Sequence, residues 1–206
     1  LIMDEVSALG AEMVLANTYH LYLRPGHELV RDLGGLHEFM RWDGPILTDS
    51  GGYQVFSLAK IRELHDDGVE FQSHIDGSKH AFTPESVIDI QRMLGADVIM
   101  ALDECPPGGA DHSYVSVSNI RTIEWLERCR SRFQELEERG ESPQQTLFPV
   151  LQGNIYDDLR REHARQFMDI ADWTGYGIGG LSVGESKDNM WRVLELLHDE
   201  LPMNRP

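Results

Sequence analysis

Apolar residues occur in short runs along the chain, and each run is followed by polar residues or glycine and then by a helical pattern. Such runs are typical of strands buried on both faces of a parallel sheet. Strands that alternate with helices predict an α/β fold with right-handed crossovers, either a doubly wound sheet or an eight-fold barrel. The predicted strands are residues 13–16, 46–47, 97–102, 146–151 and 175–181.

Helix start and stop signals support this alternation. Thr83 followed by Pro84 is a favourable helix start and Gly95 is a usual stop, so a helix is predicted to end at Leu94. Pro149 disfavours the fourth strand relative to the others, because proline donates no ladder hydrogen bond. The other predicted helices span residues 2–10, 27–33, 113–139, 156–170 and 187–200.

One segment departs from the alternation. Residues 60–67 are polar and predict a loop, whereas residues 69–75 alternate between apolar and polar side chains as a strand does. Asp76 and Gly77 favour a tight turn. Residues 79–82 are therefore expected to return as the second strand of a β-hairpin inserted between two repeats.

Polar residues or glycine follow each predicted strand. The loops after barrel strands converge on one face, where that fold places its active sites, whereas an open sheet gathers them less completely. Five of eight repeats in 206 residues favour a partial TIM (β/α)8 barrel, a single incomplete domain over residues 1–206. The residues that follow the strands are Asn17, Asp49, Asp103, Gln152 and Gly180.

Composition narrows the possible partners. No apolar run approaches the roughly 20 residues of a membrane span and no signal peptide is apparent, so no membrane association is expected. The net charge of −17 opposes general phosphate binding, so a nucleic-acid contact needs a local basic patch or a segment outside this chain. Leu1 is not an initiator methionine, and the chain is expected to be a piece of a longer protein.

The cysteines and histidines give little indication of a metal site. Cys105 and Cys129 lack the paired spacing of a zinc site or a disulfide framework, which predicts reduced thiols in the cytoplasm. Cys105 is interpreted as a small residue in a tight loop. His74 and His80 suggest a metal pair, but without a third ligand a solvated hairpin is preferred, and His20 is interpreted as a packing or capping residue.

Two carboxylates are predicted to meet at the strand ends, Asp49 and Asp103. A carboxylate pair can divide acid and base roles, and it can stabilise or trap an oxocarbenium-like sugar. Glycosyl chemistry is therefore the favoured use. A divalent-metal site with Glu104 as third carboxylate is the alternative.

The same region also suits a flat, purine-like base. A carboxylate matches the adjacent ring N–H and amino group of guanine. Gln152 and the backbone N–H of Gly180 can address the carbonyl edge of such a base, and Tyr53 can stack on it. Gly51 and Gly52 let backbone amides approach a ligand closely. A strand followed by a glycine turn and a polar rim is the structural alternative for that stretch.

Five short segments carry a distinctive combination of residues: NTYHL at 17–21, LTDSGGYQ at 47–54, LDEC at 102–105, LQG at 151–153 and GGLSVGE at 179–185. Each alone is weakly informative. Together, in this order and spacing, they resemble the queuine tRNA-ribosyltransferase family, the tRNA-guanine transglycosylases. The resemblance covers essentially the whole chain.

The resemblance implies a fold and an activity. Members of this family are zinc-containing TIM barrels that exchange the wobble guanine, position 34, of tRNAs with a GUN anticodon through a covalent glycosyl-enzyme intermediate. They are cytoplasmic and commonly homodimers. Val183 lies where queuine-using eukaryotic enzymes carry glycine, so a bacterial-type enzyme that takes the smaller deazaguanine preQ1 is expected.

The resemblance also implies roles for individual residues. Asp49 is expected to be the general acid/base beside the exchanged base, and Asp103 to grip its guanidine-like edge. Gln152 and the Gly180 amide are expected to contact the carbonyl of the base, and the Leu181 carbonyl to face its substituent. The substrate-binding residues so implied are Asp49, Ser50, Gly51, Gly52, Tyr53, Asp103, Gln152, Gly180 and Leu181.

Several family features are expected outside this chain. The nucleophilic aspartate, the three-Cys, one-His structural zinc site and basic tRNA-binding segments are expected after Pro206, and the first strand before Leu1. No metal ligand is therefore predicted here, and the fragment alone is expected to be inactive. The alternatives are a non-catalytic partner subunit, an archaeosine-type transglycosylase, which Val183 disfavours, and an unrelated carboxylate-pair glycosidase.

Overall fold

The computed structural model describes residues 2–58, 61–140 and 144–206. The strands are β1 (Val14–Ala16), β2 (Ile46–Thr48), β3 (Arg62–His65), β4 (Gly68–Gln72), β5 (Lys79–Phe82), β6 (Val98–Met100), β7 (Thr146–Phe148), β8 (Val150–Leu151) and β9 (Gly177–Ile178). The helices are α1 (Met3–Ala8), α2 (Thr18–Leu23), α3 (His27–Asp32), α4 (Gly35–Met40), α5 (Gly52–Leu58), α6 (Pro84–Leu94), α7 (His112–Glu138), α8 (Asp157–Ile170) and α9 (Lys187–His198).

The parallel strands pair in chain order. One sheet has the order β1-β2-β6-β7, and β8 pairs in parallel with β9. Pro149 alone separates β7 from β8 and interrupts the ladder there, so the fourth predicted strand forms as two short ones. The predicted α/β fold with a parallel sheet is confirmed. A doubly wound sheet reverses its strand order, and this one does not.

The core lies between the parallel sheet and its helices. Ile46 and Ile99 of the sheet are buried, as are Val87, Ile88 and Leu94 of α6. The α6 bounds were predicted from sequence. Its N-terminus is closed by a reciprocal Thr83–Ser86 capping box and its C-terminus by Gly95 with a φ of +77°. The buried apolar residues and the capping residues of α6 indicate the same helix ends. These ends could therefore be predicted from the sequence.

Local signals failed for the shorter elements. The helices α2, α4 and α5 have six or seven residues each and were not predicted. Helices this short are not stable alone and depend on tertiary packing. α7 spans 27 residues, yet neither it nor another helix within the described ranges is apolar enough to cross a membrane.

The insertion is a three-stranded antiparallel sheet, not a hairpin. β4 pairs with β5 as predicted, but β4 ends at Gln72 and residues 73–78 form the connection, so the strand predicted to run to residue 75 before a tight turn was too long. β3 also pairs with β4, so the loop expected at 60–67 was wrong for residues 62–65. Residue 60 lies outside the described residues. β3 is polar because most of its side chains are exposed at a sheet edge. Its residues therefore lacked the apolar alternation of a half-buried strand.

The histidines of the insertion join it to α2. His74 Nδ1 hydrogen bonds to the Tyr19 hydroxyl at 2.8 Å, and His80 Nδ1 to the Tyr22 hydroxyl at 3.0 Å. Both rings also pack against aromatic side chains. The solvated-histidine interpretation was therefore incomplete, since these side chains connect two parts of the fold.

Apolar side chains are exposed on both outer strands of the parallel arrangement. Leu15 of β1 is 66% exposed and Ile178 of β9 is 38% exposed. Within the described residues, each of these strands pairs along one side only.

Gln91 is a buried amide that ties α6 to two strands. Its Oε1 accepts hydrogen bonds from the Thr48 hydroxyl at 2.9 Å and the Met100 N–H at 3.0 Å, and its Nε2 donates to the Met100 carbonyl at 2.8 Å. We predict that Gln91→Leu lowers the free energy of unfolding by about 2–4 kcal/mol, because these buried groups lose their partner. Urea unfolding measures it.

The matched control is Gln134→Leu, at an exposed position of α7. It is expected to change the unfolding free energy by less than about 0.5 kcal/mol. Equal urea midpoints for the two variants would contradict the role assigned to Gln91.

Candidate active site

A cavity of about 440 Å³ opens at the carboxyl ends of the parallel strands. Its volume is within the roughly 300–1,000 Å³ range of small-molecule sites. Residues from four separate strand-to-helix connections meet in it, which is the convergence predicted from sequence. The lining residues are Asp49, Ser50, Gly51, Tyr53, Gln54, Met100, Asp103, Cys105, Val150, Gln152, Gly177, Ile178, Gly179, Gly180, Leu181, Ser182 and Val183.

Asp103 is the most buried acidic group of the cavity, with 7% of the residue exposed. One carboxylate oxygen accepts a hydrogen bond from the Ser50 hydroxyl at 3.2 Å, and the other accepts from Gln152 Nε2 at 2.6 Å. Burial raises the pKa of Asp103 to about 6, although both hydrogen bonds lower it and the charge of Asp49 adds to the rise. The group is therefore mostly ionised at neutral pH and held in a fixed orientation.

Asp49 is held by donors from two segments. One carboxylate oxygen accepts from the Thr18 N–H at 3.0 Å and the Gly51 N–H at 3.1 Å, and the other accepts from Asn17 Nδ2. Burial raises the pKa of Asp49, and these three hydrogen bonds oppose the rise. Asn17 also caps α2, since its Oδ1 accepts from the His20 N–H at 3.1 Å, but it is not among the residues that line the cavity.

Gly52 lies behind the cavity rather than on its surface. It begins α5, its N–H donates to the Ser50 hydroxyl at 3.2 Å, and a Cβ there would stand 2.8 Å from the Asp103 carbonyl oxygen. The residue must therefore be glycine for α5 to approach the β6 end. The other predicted site residues line the cavity. A substrate contact by Gly52 stays a prediction.

Gln152 lies between Asp103 and the glycines that follow β9. Its Nε2 is bonded to Asp103, and its Oε1 is buried without a hydrogen-bond partner among the described residues. A Cβ on Gly179 or Gly180 would stand 2.5 Å from this amide group. Two glycines are thus needed for the backbone to reach Gln152.

Tyr53 and Cys105 both line the cavity. Tyr53 is 49% exposed, so its ring is accessible to a planar ligand. Burial, with the charge of Asp103 as second cause, raises the pKa of the Cys105 thiol to about 12. A thiol in this state is not nucleophilic at neutral pH, in agreement with the structural interpretation of Cys105.

Glu104 does not belong to the cavity. Its carboxylate is fully buried and accepts hydrogen bonds from the Tyr114 hydroxyl and from Arg121. A divalent-metal site that uses Asp49, Asp103 and Glu104 is therefore contradicted, because the Glu104 carboxylate is bound to Tyr114 and Arg121 and does not line the cavity.

The described residues do not fit a structural zinc site. One group of three potential ligands has its atoms within 4.8 Å of one another, Glu63, His65 and Glu70, and it is exposed on the insertion sheet. Structural zinc sites are closed and built from cysteine and histidine. A zinc site with ligands outside this chain stays a prediction of the family resemblance.

Sequence reasoning missed several residues of the site. Met100, Val150 and Ile178 come from strands and line the cavity floor. Arg160 and His163, both fully buried, lie on α8 behind Gln152.

The fold and cavity define a class of protein. Parallel strands follow one another in chain order, and a carboxylate pair and a buried amide surround a cavity at their carboxyl ends, as in α/β enzymes with a site for a small planar ligand. A family model described as queuine tRNA-ribosyltransferase matches residues 1–206. The chain belongs to this family, which excludes the alternative of an unrelated glycosidase.

Curated relatives agree with this assignment. The queuine tRNA-ribosyltransferase of Caldanaerobacter subterraneus is 53% identical over 203 residues, which are 98% of this chain and 52% of that protein. That of Desulforudis audaxviator is 53% identical, with 98% and 53% covered, and that of Desulforamulus reducens is 52% identical, with the same coverage. The chain therefore spans about half the length of the curated relatives it matches.

Burial of Asp103 predicts a pH-dependent stability. Its pKa is raised from 3.8 to about 6 in the folded state, so its contribution to stability is present at low pH and is lost as pH rises through about 6. Asp103→Asn removes this loss of stability, because the asparagine side chain does not ionise. Relative to the unsubstituted chain, the variant is expected to gain up to about 3 kcal/mol between pH 4 and pH 7.

Urea unfolding at several pH values measures this difference. Asp66→Asn is the control, because that side chain is 95% exposed, and its effect is expected to stay within about 0.5 kcal/mol. A stability difference for Asp103→Asn that does not change with pH would contradict the burial argument.

Proposed function

We propose that this chain forms the base-binding part of a tRNA-guanine transglycosylase that exchanges a guanine of tRNA for preQ1. The observation that carries the proposal is Asp103, a buried carboxylate oriented by Ser50 and Gln152 in the cavity that also holds Asp49. The relatives described above are named for tRNA ribosyl transfer, which supports the same reaction class.

Base recognition follows from donors and acceptors. An ionised Asp103 accepts from the ring N–H and the amino group of guanine with the lone pairs that Ser50 and Gln152 leave free. The second Gln152 amide hydrogen and the Gly180 N–H are the donors for the base carbonyl, and Tyr53 provides a stacking surface. Bases without this pattern leave buried groups unpaired and are rejected.

Exchange requires proton transfer at the departing and arriving bases. A carboxylate nucleophile, by family resemblance an aspartate outside this chain, attacks the ribose C1′, and the bond from C1′ to guanine breaks. Asp49 gives a proton to the departing guanine. The incoming base then attacks C1′, the bond from C1′ to the enzyme carboxylate breaks, and Asp49 takes the proton that the incoming base loses, so bonds and protons balance. Its raised pKa and fixed hydrogen bonds suit this exchange.

The position of Val183 favours the smaller base. Val183 borders both the main cavity and an adjoining cavity of about 180 Å³. Its side chain limits the space into which a substituent extends. This supports preQ1 over the bulkier queuine as the incoming base.

The remaining features of the enzyme stay at the level of the family resemblance. Strands paired in chain order support a TIM barrel, of which this chain supplies about five repeats. The net charge of −17 supports tRNA contacts by residues elsewhere in the protein. A homodimer, a cytoplasmic location and structural zinc are proposed on the resemblance alone.

Incorporation of labelled guanine into a tRNA with a GUN anticodon tests the proposal in the protein as its gene encodes it. Asp49→Asn is expected to slow incorporation by about 10²–10⁴-fold, because it removes the proton-transferring group. Guanine affinity is expected to change much less.

Asp66→Asn is the matched control, because the Asp66 side chain is 95% exposed and does not line the cavity, and it is expected to retain full incorporation. Wild-type incorporation by Asp49→Asn would contradict the proton-transfer role. A full-length protein that binds guanine but incorporates none would instead identify a non-catalytic partner subunit.

A further inference from the structure

Arg160 of α8 is fully buried, and its guanidinium donates to four backbone carbonyls. Nε bonds to Asn154 at 2.7 Å, Nη1 to Leu151 at 3.1 Å and Gly179 at 2.8 Å, and Nη2 to Gly180 at 3.2 Å. These carbonyls come from the ends of β8 and β9 and from the connections that follow them. One side chain therefore joins two neighbouring strand ends beside the cavity.

No carboxylate within the described residues pairs with Arg160. A buried guanidinium without such a partner is costly, and burial lowers the pKa of Arg160 to about 10. The group nevertheless keeps its charge at neutral pH. Because burial of this charge is costly, Arg160 is a candidate for a role beyond packing.

Peptide geometry links Arg160 to the cavity. The C=O of Gly179 and the N–H of Gly180 belong to one planar trans peptide and point in opposite directions. Because Arg160 holds the Gly179 oxygen, the Gly180 N–H is turned away from α8, towards the cavity that Gly180 lines.

The close approach requires both glycine and arginine. Gly180 has a φ of +64°, and a Cβ on it would stand 3.2 Å from Arg160 Nη2. Lysine could not replace the arginine, because a single ammonium lacks the planar fork that reaches the Gly179 and Gly180 carbonyls together.

We propose that Arg160 is a positioning residue that aims the Gly180 N–H at the carbonyl oxygen of the bound base, and so contributes to selection of a 6-oxo purine. The inference deepens the proposed function and rests on it. Arg160 itself touches no ligand, because it is fully buried behind the glycines.

The binding affinities of three bases distinguish this positioning role from a general structural role of Arg160. Guanine has the carbonyl and the amino group, 6-thioguanine replaces the carbonyl oxygen with a weakly accepting sulfur, and hypoxanthine lacks the amino group that Asp103 recognises. Their affinities are measured by calorimetry for the full-length protein and for Arg160→Lys. Arg161→Lys is the control, since Arg161 is exposed and neighbours Arg160.

Arg160→Lys is expected to weaken guanine binding by about 10-fold, the equivalent of one good hydrogen bond, and 6-thioguanine binding by less than about 3-fold. The guanine-to-hypoxanthine ratio is expected to stay within about 2-fold of wild type, because Asp103 is unchanged. Arg161→Lys is expected to leave all three affinities unchanged.

An equal loss for all three bases, or an unchanged guanine-to-6-thioguanine ratio, would overturn the inference. Failure of the proposed function has a different signature, namely a wild-type protein that does not prefer guanine to hypoxanthine. If Arg160→Lys does not fold, the wild-type structure with guanine decides. A Gly180 nitrogen within about 3.2 Å of the base oxygen supports the inference, and a contact beyond about 3.5 Å overturns it.

Discussion

The structure depends on one costly interaction, the burial of the Asp103 carboxylate between Ser50 and Gln152. Burial raises its pKa to about 6 even with the hydrogen bonds from Gln152 and Ser50 opposing the rise, so the site keeps an ionised acid at neutral pH with the help of these two donors. Ser50 follows β2, Asp103 follows β6 and Gln152 follows β8. Three strand ends must therefore keep their mutual register for the charge to be tolerated, which couples the fold to the site.

Glycines make this convergence possible. Gly52 lets α5 approach the backbone of Asp103, and Gly179 and Gly180 let the β9 connection reach Gln152. Arg160 then fixes the direction of the resulting peptides from behind. The cavity is thus formed by main-chain groups held at short distances as much as by side chains, and preorganised groups of this kind bind without reorganisation cost.

The sequence predicted the parts of this structure that local physics determines. Asp49, Asp103 and Gln152 follow apolar runs, and α6 has capping residues at both ends. The short helices α2, α4 and α5 and the polar strand β3 were not predicted, because they depend on tertiary contacts rather than on local sequence signals. Arg160 was missed as well. It shares the inward spacing of His163, Ala164 and Phe167 on α8, so a charged residue within a buried helical stripe was the signal.

The central claim is that the buried carboxylate of Asp103 is the group that recognises the base. A crystal structure of the full-length protein with guanine tests it most directly. Both Asp103 oxygens are expected to lie within about 3.2 Å of the ring N–H and amino nitrogens while Ser50 and Gln152 keep their contacts. Guanine bound in the cavity with neither nitrogen on Asp103 would contradict it.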